Sequence, residues 1–171
     1  MALKGLIGRD VLAATDRYKA YTHDFHLDMA RWRKFRAPCV LNWTMTRFLP
    51  SSRPQIPATR GIYVFTLRLE PSELPAHGMI LYMGITGDKS SATLRSRFGQ
   101  YLQGQRRVDE RPKVLDMLLR FEDHLFFNFA PIPDPAINLE ALETEFLDAV
   151  DPPINERDYS GEFGRTRRSA W

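Results

Sequence analysis

The 171-residue sequence holds a single cysteine, Cys39, which excludes an internal disulfide framework and a cysteine-rich zinc site. No stretch approaches the roughly 18 consecutive apolar residues of a membrane helix. The opening MALKGLIGRDVL lacks the apolar core of a secretory signal, because charge returns at Arg9 and Asp10. A cytoplasmic protein with no membrane partner is therefore expected. A phosphate-cradling Walker loop, a dinucleotide fingerprint, internal repeats and low-complexity tracts are all missing, which removes several common nucleotide-binding and solenoid classes. What remains is an ordinary soluble composition, 43% hydrophobic and 26% charged, in a chain of one-domain length.

The net charge of +3 is unevenly spread. Residues 1–60 carry 11 Lys/Arg against 4 Asp/Glu, whereas residues 61–171 carry 13 against 17. A basic arm ahead of a mildly acidic body suits a polyanionic partner, although a solvated basic helix face gives the same pattern. Within the arm, Arg31, Arg33, Lys34 and Arg36 form the densest cationic cluster and are the first candidates for nucleic-acid contact.

The pattern predicts a helix over 8–36, interrupted near 21–24 and stopped by Pro38. A proline- and serine-rich linker or wrapping loop then runs to Arg60. Gly61 opens a strand in which Ile62, Val64 and Thr66 alternate with Tyr63, Phe65 and Leu67, and a second strand over 79–86 pairs with it as a hairpin. Ser90 or Ser91 caps a helix over about 92–103, Pro112 begins another that ends at Phe121, and a third strand covers 124–131. A last helix over 137–150 is stopped by Pro152 and Pro153. The domains expected are a basic helical extension and linker (1–59), an α+β body (60–156) and a polar tail (157–171), with Phe163 or Trp171 docking the tail.

Five short features occur in order: GIYVF at 61–65, LYMG at 81–84, LRSRFGQYL at 94–102, LEALETEFLDA at 139–149 and PPIN at 152–155. In these the sequence resembles the GIY-YIG nuclease superfamily, over roughly residues 60–156. That family includes homing endonucleases, excision-repair incision enzymes and some type II restriction enzymes. The resemblance implies a small α+β domain with a three-stranded antiparallel sheet flanked by helices, here with an N-terminal helical extension. It implies catalytic roles for Tyr63 and Tyr82 from the two strand motifs, Arg97 and Tyr101 from the helix, Glu143 from the last helix and Asn155 after it. Arg97 and Tyr101 are four residues apart and so share one helix face. Arg95 falls out of motif phase and stands instead as a nucleic-acid-binding candidate, as does Lys89 in the following-strand loop. Glu140 and Glu145 also miss the register.

The residue types suit phosphodiester hydrolysis. A single carboxylate, Glu143, can hold Mg²⁺, with Mn²⁺ as the alternative, because such an ion keeps most of its waters and takes phosphate oxygens. Arg97 offers a planar, permanently charged fork to phosphate. A phenol ordinarily titrates near pH 10, so Tyr63 needs a lowered pKa to deprotonate water and otherwise orients it. Asn155 braces the site. The implied activity is DNA cleavage in restriction, phage defence or a mobile element, as a homodimer or part of a larger defence complex. Alternatives are cleavage of RNA or single strands, or a nucleic-acid-binding or regulatory subunit with little nuclease activity.

Three features depart from the family pattern: Met83 replaces the usual Ile, Tyr101 stands where His is common, and the stretch from Gly84 to Leu94 is long. His23, His26 and Asp28 read as surface residues rather than a metal site, His124 as packing or solvent-facing, and Cys39 has no evident base.

Overall fold

The computed structural model describes residues 13, 27–69, 77–105, 111–156, 159–161 and 164–165. The predicted helix before residue 27, the pair His23 and His26, and the tail anchors Phe163 and Trp171 lie outside the described residues. The architecture is α+β, with one antiparallel sheet and helices on both faces.

The sheet has four strands rather than the expected three: β1 (Thr44–Arg47), β2 (Gly61–Leu69), β3 (His77–Thr86) and β4 (Leu125–Pro131), in spatial order β1-β4-β2-β3. The added strand lies where the proline-rich linker was expected. Its four residues, TMTR, are too short to show an alternation, and they form a strand because β4 presents an open edge. A 3-10 turn over Pro50–Gln55 follows, and Phe48 and Ile56 on either side of it are buried. Residues 44–56 are thus part of the body's sheet and core.

Strand β2 lies centrally, and its side chains alternate between two cores. Tyr63, Phe65 and Leu67 face one core together with Phe127 of β4. That face is covered by α2 (Leu94–Gly104), through Leu94, Phe98 and Tyr101, and by α3 (Pro112–Arg120), through Val114, Met117 and Leu118. Ile62 and Val64 face the other core, with Met83 of β3, under Leu142, Phe146 and Leu147 of α4 (Leu139–Val150). Outside α4 lies α1 (Met29–Lys34), a single short helix capped by Asp28, which accepts from Ala30 N and Arg31 N. Phe35, just after α1, meets Phe146 edge-on at 5.7 Å, and partly buried Cys39 packs against the same core. The described part of the basic segment, from residue 27 on, is therefore docked on the body.

Two local features shape the site. The β2–β3 register slips between Phe65 and Thr66, where Phe65 faces Tyr82 but Thr66 faces Ile80. Leu81 is the extra residue of this bulge, so Leu81 and Tyr82 both serve the first core. The outer edge of β3 is then closed by the turn after α4. Ile154 N donates to Leu81 O at 3.0 Å, and Asn155 both accepts from Met83 N and donates to Met83 O, each at 2.9 Å. An amide side chain thus stands in for a neighbouring strand.

Among the described residues no helix is long and apolar enough to cross a membrane.

Candidate active site

Tyr63 sits mid-strand in β2, 2% exposed, directly opposite Gly84 of β3. A Cβ at position 84 would lie 2.5 Å from the Tyr63 hydroxyl oxygen and 2.7 Å from its Cζ. Glycine is required there because the phenol lies across the strand, which gives a physical meaning to the Tyr…Gly pairing of the two strand motifs. The Tyr63 ring stacks on Phe127 with centroids 5.3 Å apart.

Tyr101 approaches from α2. The start of that helix is set by Thr93 rather than by Ser90 or Ser91: Thr93 and Ser96 form a reciprocal capping box. From that start, Leu94, Phe98 and Tyr101 fall inward, and the Tyr101 hydroxyl meets the Tyr63 hydroxyl at 2.9 Å. Tyr82, displaced onto the same face by the bulge, completes a triangle of rings, 6.4 Å from Tyr63 and 6.2 Å from Tyr101.

Burial pushes the Tyr63 phenol well above its ordinary value, repulsion from Tyr101 and Tyr82 adds to the rise, and the Arg97 charge only partly opposes it. Tyr101 is raised as well, again chiefly by burial and then by Tyr82. The expected lowering of a phenol pKa by a neighbouring cation is therefore outweighed by desolvation. In this setting Tyr63 and Tyr101 are neutral hydroxyls that donate and accept.

Arg97, one turn before Tyr101, donates from Nη1 to Gln100 at 2.8 Å, while its buried Nε has no hydrogen-bond partner. Glu143 is 9% exposed on the inward side of α4, whose apolar residues cover the second sheet face. Asn155 is 5% exposed and holds the backbone of Met83, between Tyr82 and Gly84, so its bracing role has a specific partner.

Several expected nucleic-acid contacts are engaged within the protein. Lys89 pairs with Glu140 at 2.7 Å, tying the loop after β3 to α4. Arg95 donates to Ile56 O and Pro54 O, holding the 3-10 turn against α2. Arg31 pairs with Asp28 and Asp148, and Arg36 donates to the carbonyls of Arg33 and Phe35. Arg33 and Lys34 are exposed.

One residue at the phenols was not legible in the sequence. Arg111 donates from Nη1 to the Tyr82 hydroxyl at 3.3 Å, and its guanidinium carbon lies 5.8 Å from the Tyr101 ring centre. It belongs to none of the five motifs, and its only sequence signal is that it precedes Pro112. No family model matches the chain, and neither a curated protein nor a solved structure matches it.

Proposed function

We propose that this chain is a Mg²⁺-dependent endonuclease of the GIY-YIG type, hydrolysing phosphodiester bonds in DNA in restriction, phage defence or a mobile element. The observation that carries this reading is the joining of Tyr63 and Tyr101 at 2.9 Å, with Tyr82 and the Arg97 charge beside them. These four residues come from two strands and a helix, and the resemblance to the GIY-YIG family names all four.

Hydrolysis bonds a water oxygen to phosphorus while the bond to the leaving sugar oxygen breaks, and in the net reaction that oxygen takes up, by way of solvent, the proton that the water loses. Arg97 contributes permanent charge to the phosphate as negative charge builds up in the transition state. The neutral phenols orient the attacking water and a phosphate oxygen by donating and accepting, and Tyr63 does not take the proton as a phenolate. Among the described residues no three His, Cys, Asp or Glu side chains come together as a metal cluster. Glu143 would hold the metal as a single carboxylate, a sparse oxygen donor set that Mg²⁺ would accept because it retains water and takes phosphate oxygens. When bound, Mg²⁺ supplies positive charge to the phosphate and leaving oxygens.

A second reading, a nucleic-acid-binding protein with little cleavage activity, is favoured by the burial of Tyr63 and Tyr101, which withholds a phenolate base. Supercoiled plasmid separates the two. The wild type nicks or linearises it with Mg²⁺ and not with EDTA, and Arg97→Ala and Glu143→Gln abolish cleavage with little change in melting temperature. Full activity in either variant overturns the site. Plasmid that is bound but left intact in both Mg²⁺ and Mn²⁺ establishes the second reading.

A further inference from the structure

Among the described arginines, Arg36, Arg47 and Arg95 donate to backbone carbonyls. Arg31, Arg60 and Arg120 are matched to the carboxylates of Asp148, Asp88 and Asp116. Arg97 and Arg111, which flank the phenol cluster, have no carboxylate partner among the described residues. Arg111 donates to the Tyr82 hydroxyl and lies against Tyr101, and it is at the exposed surface.

Its position is held by the backbone. Pro112 keeps the preceding residue out of the helical region, and Arg111 accordingly has φ −115° and ψ 84°. It occupies the N-cap position of α3 but makes no side-chain cap bond, so its side chain is available to reach across to Tyr82 and Tyr101. By donating to the Tyr82 oxygen, Arg111 takes up an acceptor position and leaves the Tyr82 hydroxyl proton for another acceptor. Two guanidiniums whose described partners are neutral, Gln100 for Arg97 and Tyr82 for Arg111, form beside the hydroxyls a receptor for an anion that has several oxygens.

From this we infer that Arg111 is a second substrate-binding guanidinium of the site, receiving a backbone phosphate together with Arg97 and fixing the Tyr82 hydroxyl as a donor to it. The inference rests on the nuclease reading above and names a contact that reading does not require.

The test is fluorescence anisotropy of a short labelled DNA duplex in EDTA, so that neither cleavage nor metal enters the readout. Loss of one phosphate contact weakens binding and lowers the slope of log K against log salt by about 1. Arg111→Gln should do both, with near-UV circular dichroism unchanged. Arg111→Lys should keep the slope and bind more weakly than wild type, because a point charge replaces the fork. If Arg111→Gln fails to fold, Arg111→Lys carries the test, and an affinity equal to that of the wild type overturns the inference. Wild-type affinity and slope in a folded Arg111→Gln overturn the inference and leave the nuclease reading standing. A wild-type protein that binds no duplex overturns the nuclease reading, and the inference with it.

Discussion

Tyr63 and Tyr101 share a buried hydroxyl pair, and their environment favours the neutral form of each. In the unfolded chain a phenol ordinarily titrates near pH 10, whereas in the folded chain both are raised. Above that value the unfolded state loses protons that the folded state retains, so stability is fully present below pH 10 and falls as pH rises beyond it. Melting temperature measured against pH should therefore be flat through the neutral range and fall in strong alkali, and Tyr63→Phe should make that fall shallower. The same substitution should lower cleavage by about 10²-fold, the scale on which a misoriented reactant costs rate, because it removes a hydroxyl that orients the attacking water. An equally steep alkaline fall in Tyr63→Phe would show that the raised phenol is not Tyr63. At this scale the candidate phenols were legible from motif spacing. Their protonation was not, because desolvation depends on Phe65, Phe127 and α2 closing over the hydroxyls.

At the scale of elements, β3 is the edge strand nearest the site, and the turn after α4 completes it. Asn155→Ala removes one donor and one acceptor facing the buried backbone of Met83, and each orphaned buried group costs about 1–3 kcal/mol. Chemical denaturation should show a loss of that order, with cleavage falling because Tyr82 and Gly84 flank the freed peptide. Asn155→Ala with wild-type stability would mean that the edge is satisfied in another way. The sequence offered this asparagine as a bracing residue of the site without naming what it braces, because its partner lies 72 positions away in the chain. The bulge at Leu81 was illegible for a related reason: strict alternation assigns Leu81 and Tyr82 to opposite faces, and only pairing with β2 places both on one.

For the whole molecule, the basic segment and the body are one structure where both are described. Phe35 and Cys39 pack on the second core, and Arg31 pairs with Asp148 of α4. Removing residues 1–40 should therefore lower the melting temperature as well as weaken DNA binding, since apolar cover is lost along with charge. Arg33→Gln with Lys34→Gln, at exposed positions, should leave melting unchanged and lower the salt slope of DNA binding by about 2 if both meet phosphates. An unchanged slope would assign this segment to packing.

Local chemistry in the sequence was enough to place the core elements of the α+β body, because alternation, helix periodicity, Pro112 and the prolines after α4 act over a few residues. Tyr63, Tyr82, Tyr101 and Arg97 came forward as one group through the resemblance of their motifs to the GIY-YIG family, with local register fixing only that Arg97 and Tyr101 share a helix face. The tertiary structure decided what depends on remote partners. It made TMTR a fourth strand by offering it the edge of β4, and it engaged Lys89 and Arg95 with Glu140 and the 3-10 turn. It also brought Arg111 to the phenols, a contact between positions 29 and 10 residues apart that has no local signature. Spacing along a chain encodes which face a side chain takes, whereas partnership and desolvation exist only once the faces have met.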